Sequence, residues 1–289
     1  MQPVTRFAPS PTGRLHLGHA YSALLAHDFA RERDGSFLLR IEDIDPGRAR
    51  AEHVDAIFQD LIWLGLEWDG EIVYQSERLP LYAEALETLK RRGLVYPCFC
   101  TRAEIAAEIA ASVAAPQGPA GATAYPGTCR ALPPEERERG LAERPHAWRL
   151  DVSKASRQAG PLAWHDHDVK VTAAPGRFGD VVLARKDAPA SYHLAVTVDD
   201  AALGVTDVVR GRDLFDSTHV HRLLQALLGL PTPHYRHHPL LTDGRGERLA
   251  KRHQAPTLGD LRASGADAAA LAAMLRRGQM PAGYSLRQA

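Results

Sequence analysis

"RFAPSPTGRLHLGHA", residues 6–20, sets the reading of this chain. Two prolines, two glycines and two histidines crowd into this short stretch. "VTRFAP" at its head is a short apolar run that predicts a buried strand. "LGHAYSALLAHDFARERDG" after it has apolar residues at helical spacing and stops at Gly35. The loop "SPTGRLH" lies between the two. Such a loop sets free backbone N–H groups, and the positive end of a helix dipole, beside whatever binds there. Pro9, Pro11 and Gly13 constrain its path. His16 and His19 stand three apart at the helix start and share a face. Gly18 between them lets a flat ring approach the backbone. Two imidazoles at a helix amino terminus suit an anionic phosphate that gains charge in a transition state. By itself H-x-x-H equally allows a metal pair or two surface histidines. The string is neither G-x-x-x-x-G-K-[ST] nor G-x-G-x-x-G, so a Walker loop and the usual dinucleotide fingerprint are both excluded.

Working outward, "SFLLRIEDID" predicts a second strand. "RARAEHVDAIFQDLIWLGL" predicts a second helix, and "SERLPLYAEALETLKRRG" a third with Ser76 as its cap. Strands alternating with helices of this length indicate an α/β domain with a mainly parallel sheet. The alternation breaks at "VYPCFC". Residues 103–124, rich in alanine, glycine and proline, predict a mobile loop with some helix near its start. "HAWRLDV", "HDHDVKVTA" and "GDVVLARKD" predict β-segments of an insertion, and "ASYHLAVTVDDAALGVTDVVRG" predicts strand and turn. "DSTHVHRLLQALLGLP" predicts a helix capped at Asp216 or Ser217 and stopped at Pro231. "HHPLLTDGRGERLAKRH" predicts a strand and a basic, glycine-rich loop, and the tail from Thr257 predicts helix.

The 289 residues are 45% hydrophobic and 24% charged, an ordinary globular composition. Lysine plus arginine equals aspartate plus glutamate at 35 each, so a nucleic-acid partner must be met by local patches. The opening residues lack a signal-peptide pattern, and no apolar run approaches the roughly 20 residues that span a bilayer, so a cytoplasmic protein without membrane contact is expected. The three cysteines, Cys98, Cys100 and Cys129, fall in one window. An odd number argues against a disulfide framework, and the C-x-C start suggests a metal. Three thiolates and one further donor make a closed tetrahedral zinc site. The fourth donor is open between Tyr125, His146 and water, and three free thiols without metal remain the alternative.

The whole string "RFAPSPTGRLHLGH" resembles the HIGH signature of class I aminoacyl-tRNA synthetases, in the wording of the glutamyl and glutaminyl branch. "LLRIEDID" and "VVRGRDLFDST" match the same branch, and "LTDGRGERLAKR" lies where its KMSKS loop is expected. The resemblance runs in order from residue 6 to about residue 252. It implies a Rossmann-type catalytic domain that activates an amino acid with ATP and Mg2+. The expected organisation is a first catalytic half over 1–97, a zinc-bearing insertion over 98–184, a second half over 185–245, and a KMSKS-like loop with a helical tail over 246–289. His16, His19 and Lys251 match the catalytic positions, and with Gly18 they are the expected ATP contacts. Arg6 and Arg210 match the arginines that bind a glutamate side chain, and a planar fork suits that carboxylate. Glu42 matches the carboxylate that holds the α-ammonium, and Tyr192 a tyrosine of the pocket. Phe7, Ala8, Pro9 and Ser10 complete the expected glutamate contacts. The residues alone equally allow Glu42 and Arg6 to pair across adjacent strands. The loop departs from the family pattern, since Arg248 and Ala250 stand where lysine and serine are expected.

Cys98-x-Cys100 with Tyr125-x-x-x-Cys129 resembles the small glutamyl-queuosine branch, which implies Tyr125 as the fourth zinc donor. The chain ends 38 residues after Lys251, which leads us to expect no anticodon-binding domain, as in that branch. The branch implies tRNA-independent activation of L-glutamate, then transfer to queuosine at the wobble position of tRNA(Asp), by a monomer. Arg91, Arg92, Arg245, Arg248, Arg252, Arg276 and Arg277 are the expected basic contacts to RNA. The competing readings are a minimal glutamyl-tRNA synthetase charging a tRNA 3′ end, a nucleotidyltransferase, and an inactive zinc-bearing RNA-binding protein.

Overall fold

The computed structural model describes residues 2–111, 125–243 and 256–287. Its first half runs β1 (Val4–Phe7), α1 (Leu17–Arg31), β2 (Ser36–Ile41), α2 (Ala51–Trp63), β3 (Val73–Tyr74) and α3 (Leu79–Arg91). β1 and β2 pair in parallel with Val4 opposite Ser36, and β3 adds in parallel beside Arg40 and Ile41. α1 covers this sheet with a face rich in alanine. Ala20, Ala23, Ala26 and Ala30 are fully buried, and such small side chains let the helix lie close to the strands.

The middle of the chain runs β4 (Val95–Cys98), α4 (Arg102–Ala111), α5 (Pro134–Glu143), β5 (Ala147–Leu150), α6 (Val152–Ala159), β6 (Ala163–Asp166), β7 (Val169–Thr172) and β8 (Val182–Ala184). β4, β5 and β8 form an antiparallel sheet of their own. The helix expected near the start of the 103–124 loop is α4; residues 112–124 lie outside the described residues. The rest runs α7 (Tyr192–Ala202), β9 (Asp207–Gly211), α8 (Ser217–Leu228), β10 (His234–His238), β11 (Leu240–Asp243), α9 (Leu258–Ala263), α10 (Ala268–Arg276) and β12 (Tyr284–Arg287). β9 pairs in parallel with β10, β10 with β6, and β7 folds back antiparallel on β6.

The two parallel halves meet between β1 and β9. The Thr206 N–H donates to the Val4 carbonyl at 2.9 Å, and the Val4 N–H to the Thr206 hydroxyl at 2.9 Å. The strand order reverses here, and in open α/β sheets ligands bind beyond the carboxyl ends of strands at such a point.

The fold departs from the sequence reading in several places. "HDHDVKVTA", expected in the insertion, supplies the end of β6 and β7, and these join the sheet of β9 and β10 because β6 pairs in parallel with β10. α8 stops at the left-handed Gly229, ahead of Pro231. Residues 192–202 form helix α7, not strand. The β-branched "AVTV" reads as strand by propensity, yet Asp199 and Asp200 on the helix bond buried cations, and those contacts outweigh propensity. Ser76 does not cap α3; its hydroxyl donates to Asp43 at 2.6 Å, and Arg78 stands at the cap position. The helical tail also ends in a strand: β12 pairs antiparallel with β11.

Candidate functional site

A cavity of about 450 Å³ opens beyond the carboxyl ends of β1 and β9. Residues Arg6 to Ser10 line it from β1 and the loop that follows. Leu15, His16, Gly18 and His19 line it from the start of α1, Glu42 from the end of β2, and Tyr192 and Arg210 from α7 and β9. Every described residue expected to contact glutamate or ATP thus reaches one cavity. Lys251, Arg245, Arg248, Ala250 and Arg252 lie outside the described residues.

The two histidines cap α1 and fix each other. The backbone N–H of Gly18 donates to His16 Nδ1 at 3.1 Å. The backbone N–H of His16 donates to His19 Nδ1 at 3.1 Å. The reciprocal pair is a capping box built from imidazoles in place of the usual hydroxyl and carboxylate. Each Nδ1 is an acceptor, so each ring carries its proton on Nε2. The rings lie 3.8 Å apart between centroids. A Cβ on Gly18 would stand 3.0 Å from His16 Cε1, so the glycine makes room for the cap itself.

Behind this wall sits an ionic box that the sequence reading did not contain. Arg40 is fully buried. Its guanidinium lies 2.7 Å from Asp200, 3.3 Å from Glu42 and 3.8 Å from Asp199. Asp200 also accepts from Arg6 at 3.1 Å. Asp199 accepts from Arg78 at 2.7 Å, Gln75 at 2.8 Å and Tyr82 at 2.8 Å. Glu42 therefore bonds Arg40 and Arg6 bonds Asp200, in place of the cross-strand pair that the residues had also allowed. Burial pushes the Glu42 carboxyl up, against the pull of Arg40 and Arg6. Burial likewise works against ionised Asp200, and Arg6 and Arg40 together hold it below the ordinary carboxylate range. The signals were a charged residue inside the apolar strand "FLLRI" and a paired aspartate in an apolar run.

Arg210 is held differently. It is 5% exposed. Its Nε donates to His237 Nε2 at 3.1 Å. Nη2 donates to the Thr218 hydroxyl at 2.7 Å and the Leu214 carbonyl at 3.0 Å. Nη1 has only long contacts, 3.3 Å to the Tyr192 hydroxyl and 3.5 Å to His221 Nδ1. No carboxylate among the described residues forms an ion pair with it. Burial, with Arg210 adding like charge, drops His237 to about 4, and His221 falls well below its ordinary value for the same reasons. The guanidinium thus stands among neutral acceptors, and an anion in the cavity would meet an uncompensated charge.

Cys98, Cys100 and Cys129 converge, their sulfurs all within 4.8 Å of one another. Cys100 and Cys129 are 3.4 Å apart, and the Tyr125 hydroxyl lies 3.5 Å from Cys100 Sγ. A tetrahedral zinc with bonds near 2.3 Å separates its sulfurs by about 3.8 Å, so the cluster fits a metal with little movement. Cys98, Cys129 and Tyr125 are buried. Burial, with the neighbouring thiols of Cys98 and Cys129, pushes the Cys100 thiol up to about 12, and a bound metal would supply the charge that reverses this. His146 is not among these converging donors; its Nδ1 lies 3.3 Å from the Arg144 carbonyl and its ring packs edge-on to Phe99.

Of the basic residues expected to meet RNA, Arg276 pairs with Asp28 at 2.8 Å. Arg92 donates to the Leu227 carbonyl, Arg91 to Thr88 and Arg277 to Gln279. No helix among the described residues is long and apolar enough to cross a membrane.

Comparison with known proteins identifies the family. Residues 2–285 match the family model of class I tRNA synthetases (E and Q), catalytic domain. A glutamyl-Q tRNA(Asp) synthetase of Rhodobacter capsulatus is 50% identical over 92% of this chain and 97% of its own length. A glutamyl-Q tRNA(Asp) synthetase of Symbiobacterium thermophilum is 46% identical over 90% of this chain and 81% of its own. Among solved structures, a glutamate tRNA ligase of Elizabethkingia meningosepticum in complex with its amino acid superposes with a TM-score of 0.73 at 30% identity. That match covers 89% of this chain and 54% of the ligase, so the chain spans about half the length of that structure. The chain belongs to the class I tRNA synthetases of the E and Q catalytic-domain family and is a ligase of that class.

Proposed function

We propose that this protein activates L-glutamate with ATP, without needing tRNA, and then transfers glutamate to the queuosine base at the wobble position of tRNA(Asp). The observation that carries the reading is Arg210, a buried cation without a carboxylate partner among the described residues, facing the cavity that His16 and His19 also line. A glutamate side chain entering there supplies the missing charge at the loosely held Nη1 edge. Glu42 receives the α-ammonium, and Arg6, Phe7, Ala8, Pro9, Ser10 and Tyr192 line the remainder. An oxygen of the α-carboxylate then attacks the α-phosphorus of ATP. One P–O bond forms, the bond to the departing pyrophosphate breaks, and a mixed anhydride results. The nucleophile is already ionised, so no general base is required. Alignment and charge stabilisation do the work, with His16 and His19 donating from Nε2 and Gly18 leaving them room. Lys251 follows the migrating phosphate charge, and Mg2+ accompanies the ATP.

Cys98, Cys100, Cys129 and Tyr125 hold one structural zinc in this reading. The converging sulfurs support it, as does the Tyr125 hydroxyl 3.5 Å from Cys100 Sγ. The protein works as a cytoplasmic monomer. The names of the Rhodobacter and Symbiobacterium relatives support the tRNA(Asp) acceptor. The test is glutamate-dependent ATP–pyrophosphate exchange with and without tRNA, followed by transfer to queuosine-containing tRNA(Asp), unmodified tRNA(Asp) and tRNA(Glu). Exchange without tRNA and labelling of the queuosine tRNA alone are expected. Labelling of the tRNA(Glu) 3′ end would instead establish a minimal glutamyl-tRNA synthetase, and absent exchange an inactive binding protein.

A further inference from the structure

We propose that Asp166 and His237 are a positioning pair: they fix the Arg210 guanidinium from behind, and so set the selection of a side-chain carboxylate in the cavity. The proposal rests on the reading of Arg210 as the partner of that carboxylate. β6 and β10 are parallel neighbours, with Tyr235 opposite Asp166, which brings the Asp166 side chain to His237. Asp166 accepts twice from His237, from the backbone N–H at 3.0 Å and from ring Nδ1 at 2.9 Å. An acceptor-only carboxylate at Nδ1 puts the ring proton there and leaves Nε2 with a lone pair. That lone pair is what the Arg210 Nε–H meets at 3.1 Å.

The direction of this chain matters. With the opposite tautomer, Nε2–H would face Nε–H, donor against donor, and the guanidinium would have to turn. The orientation is otherwise set by Thr218 and the Leu214 carbonyl on Nη2, by the longer contacts of Nη1 with Tyr192 and His221, and by the Tyr235 ring 5.2 Å from the guanidinium. The Nη1 edge toward Tyr192 is the loosely held one, and it is the edge free to take up a ligand oxygen. The His237 side chain is fully buried and that of Asp166 10% exposed, so water is a poor substitute for either. The imidazole cannot drift, because Tyr235 stacks on it with planes 1° apart and Phe215 packs edge-on at 5.2 Å. Arg212, at 3.9 Å from Asp166, is the other cation near the pair. The pair touches no substrate in this arrangement; it acts through Arg210. It also means that the β6–β7 hairpin, at the edge of the β9–β10 sheet, takes part in reading the amino acid.

The test is ATP–pyrophosphate exchange on the full chain with Asp166→Ala, His237→Ala and His237→Gln. Both alanine variants should raise the glutamate KM roughly tenfold to a hundredfold, the loss of a charged hydrogen bond's worth of order, with kcat and the ATP KM within about twofold. Discrimination against glutamine should fall with them. His237→Gln, whose amide oxygen can accept from Nε, should recover most of the glutamate KM. Unmoved glutamate KM in folded alanine variants, or an equal change in the ATP KM, overturns the pair. Absence of glutamate-dependent exchange by the unaltered protein overturns both the pair and the reading beneath it, whereas exchange with unmoved ratios overturns the pair alone. Should the alanine variants not fold, the unaltered protein decides. Nitrogen-15 spectra must show the histidine ring stacked on Tyr235 protonated at Nδ1, and protonation at Nε2 overturns the proposal.

Discussion

Arg40 and Arg210 are both buried arginines on strands of the parallel halves, and their surroundings are opposite. Arg40 has three carboxylates within 4 Å, Asp199, Asp200 and Glu42. Among the described residues Arg210 has neutral acceptors only: two imidazoles, two hydroxyls and a carbonyl. A buried charge is tolerated when it is paired and hydrogen-bonded. Arg40 is fully paired within the fold, with hydrogen bonds from Nη1 to Asp200 and Nη2 to Glu42 while its Nε has none, so its work is structural: it ties β2 to α7. Arg210 meets the second condition alone, and the first is left for a ligand. Hydrogen bonds are the more numerous at Arg210, and countercharges at Arg40.

The comparison can be broken most forcefully at Asp200. Asp200→Ala strips a countercharge from both Arg6 and Arg40, and should cost about 3–5 kcal/mol of stability in urea unfolding. A variant as stable as the parent would mean that the box contributes nothing to the fold. Next is Arg210→Met, which removes a cation with no ion-pair partner among the described residues. Glutamate kcat/KM should fall roughly 10²–10³-fold, while the unfolding free energy moves less than in Asp200→Ala. Unaltered exchange kinetics in this variant would end the assignment of Arg210.

His19→Ala sharpens the contrast between holding a substrate and stabilising its reaction. Exchange kcat should drop about 10²-fold with the glutamate KM within about threefold, because the imidazole contact strengthens as charge develops. An increase confined to KM would make His19 a binding residue only. The smallest effect is on pH dependence. Burial holds His193 and His237 at about 4 and His221 well below 6.5, with Arg210 adding its like charge to each. Below pH 6.5 the unfolded chain binds protons that the folded chain refuses, so stability is fully present above that value and declines toward pH 4. The melting temperature should be level above neutrality and fall by several degrees across that window. In Arg210→Met the decline should be shallower, since one of the causes is gone. A melting temperature that climbs on acidification would contradict the neutral state of His193, His221 and His237 in the fold.

Much of the site was legible along the chain because its parts are local. The strand, turn and helix start that carry Arg6, Ser10, His16, Gly18 and His19 occupy one run of residues, and a helix amino terminus attracts phosphate wherever it stands. The three cysteines are likewise close enough in sequence to suggest a shared ion. Tertiary structure alone decided how these pieces are held. Asp199 and Asp200 sit about 160 residues from Arg40, and their pull made α7 a helix where β-branched residues had suggested strand. Asp166 and His237 are 71 residues apart and meet only because β6 and β10 lie side by side. Local periodicity reports which face of a segment turns inward. Which charge waits there is settled by long-range packing, and that is where a cation with partners and a cation without them part company.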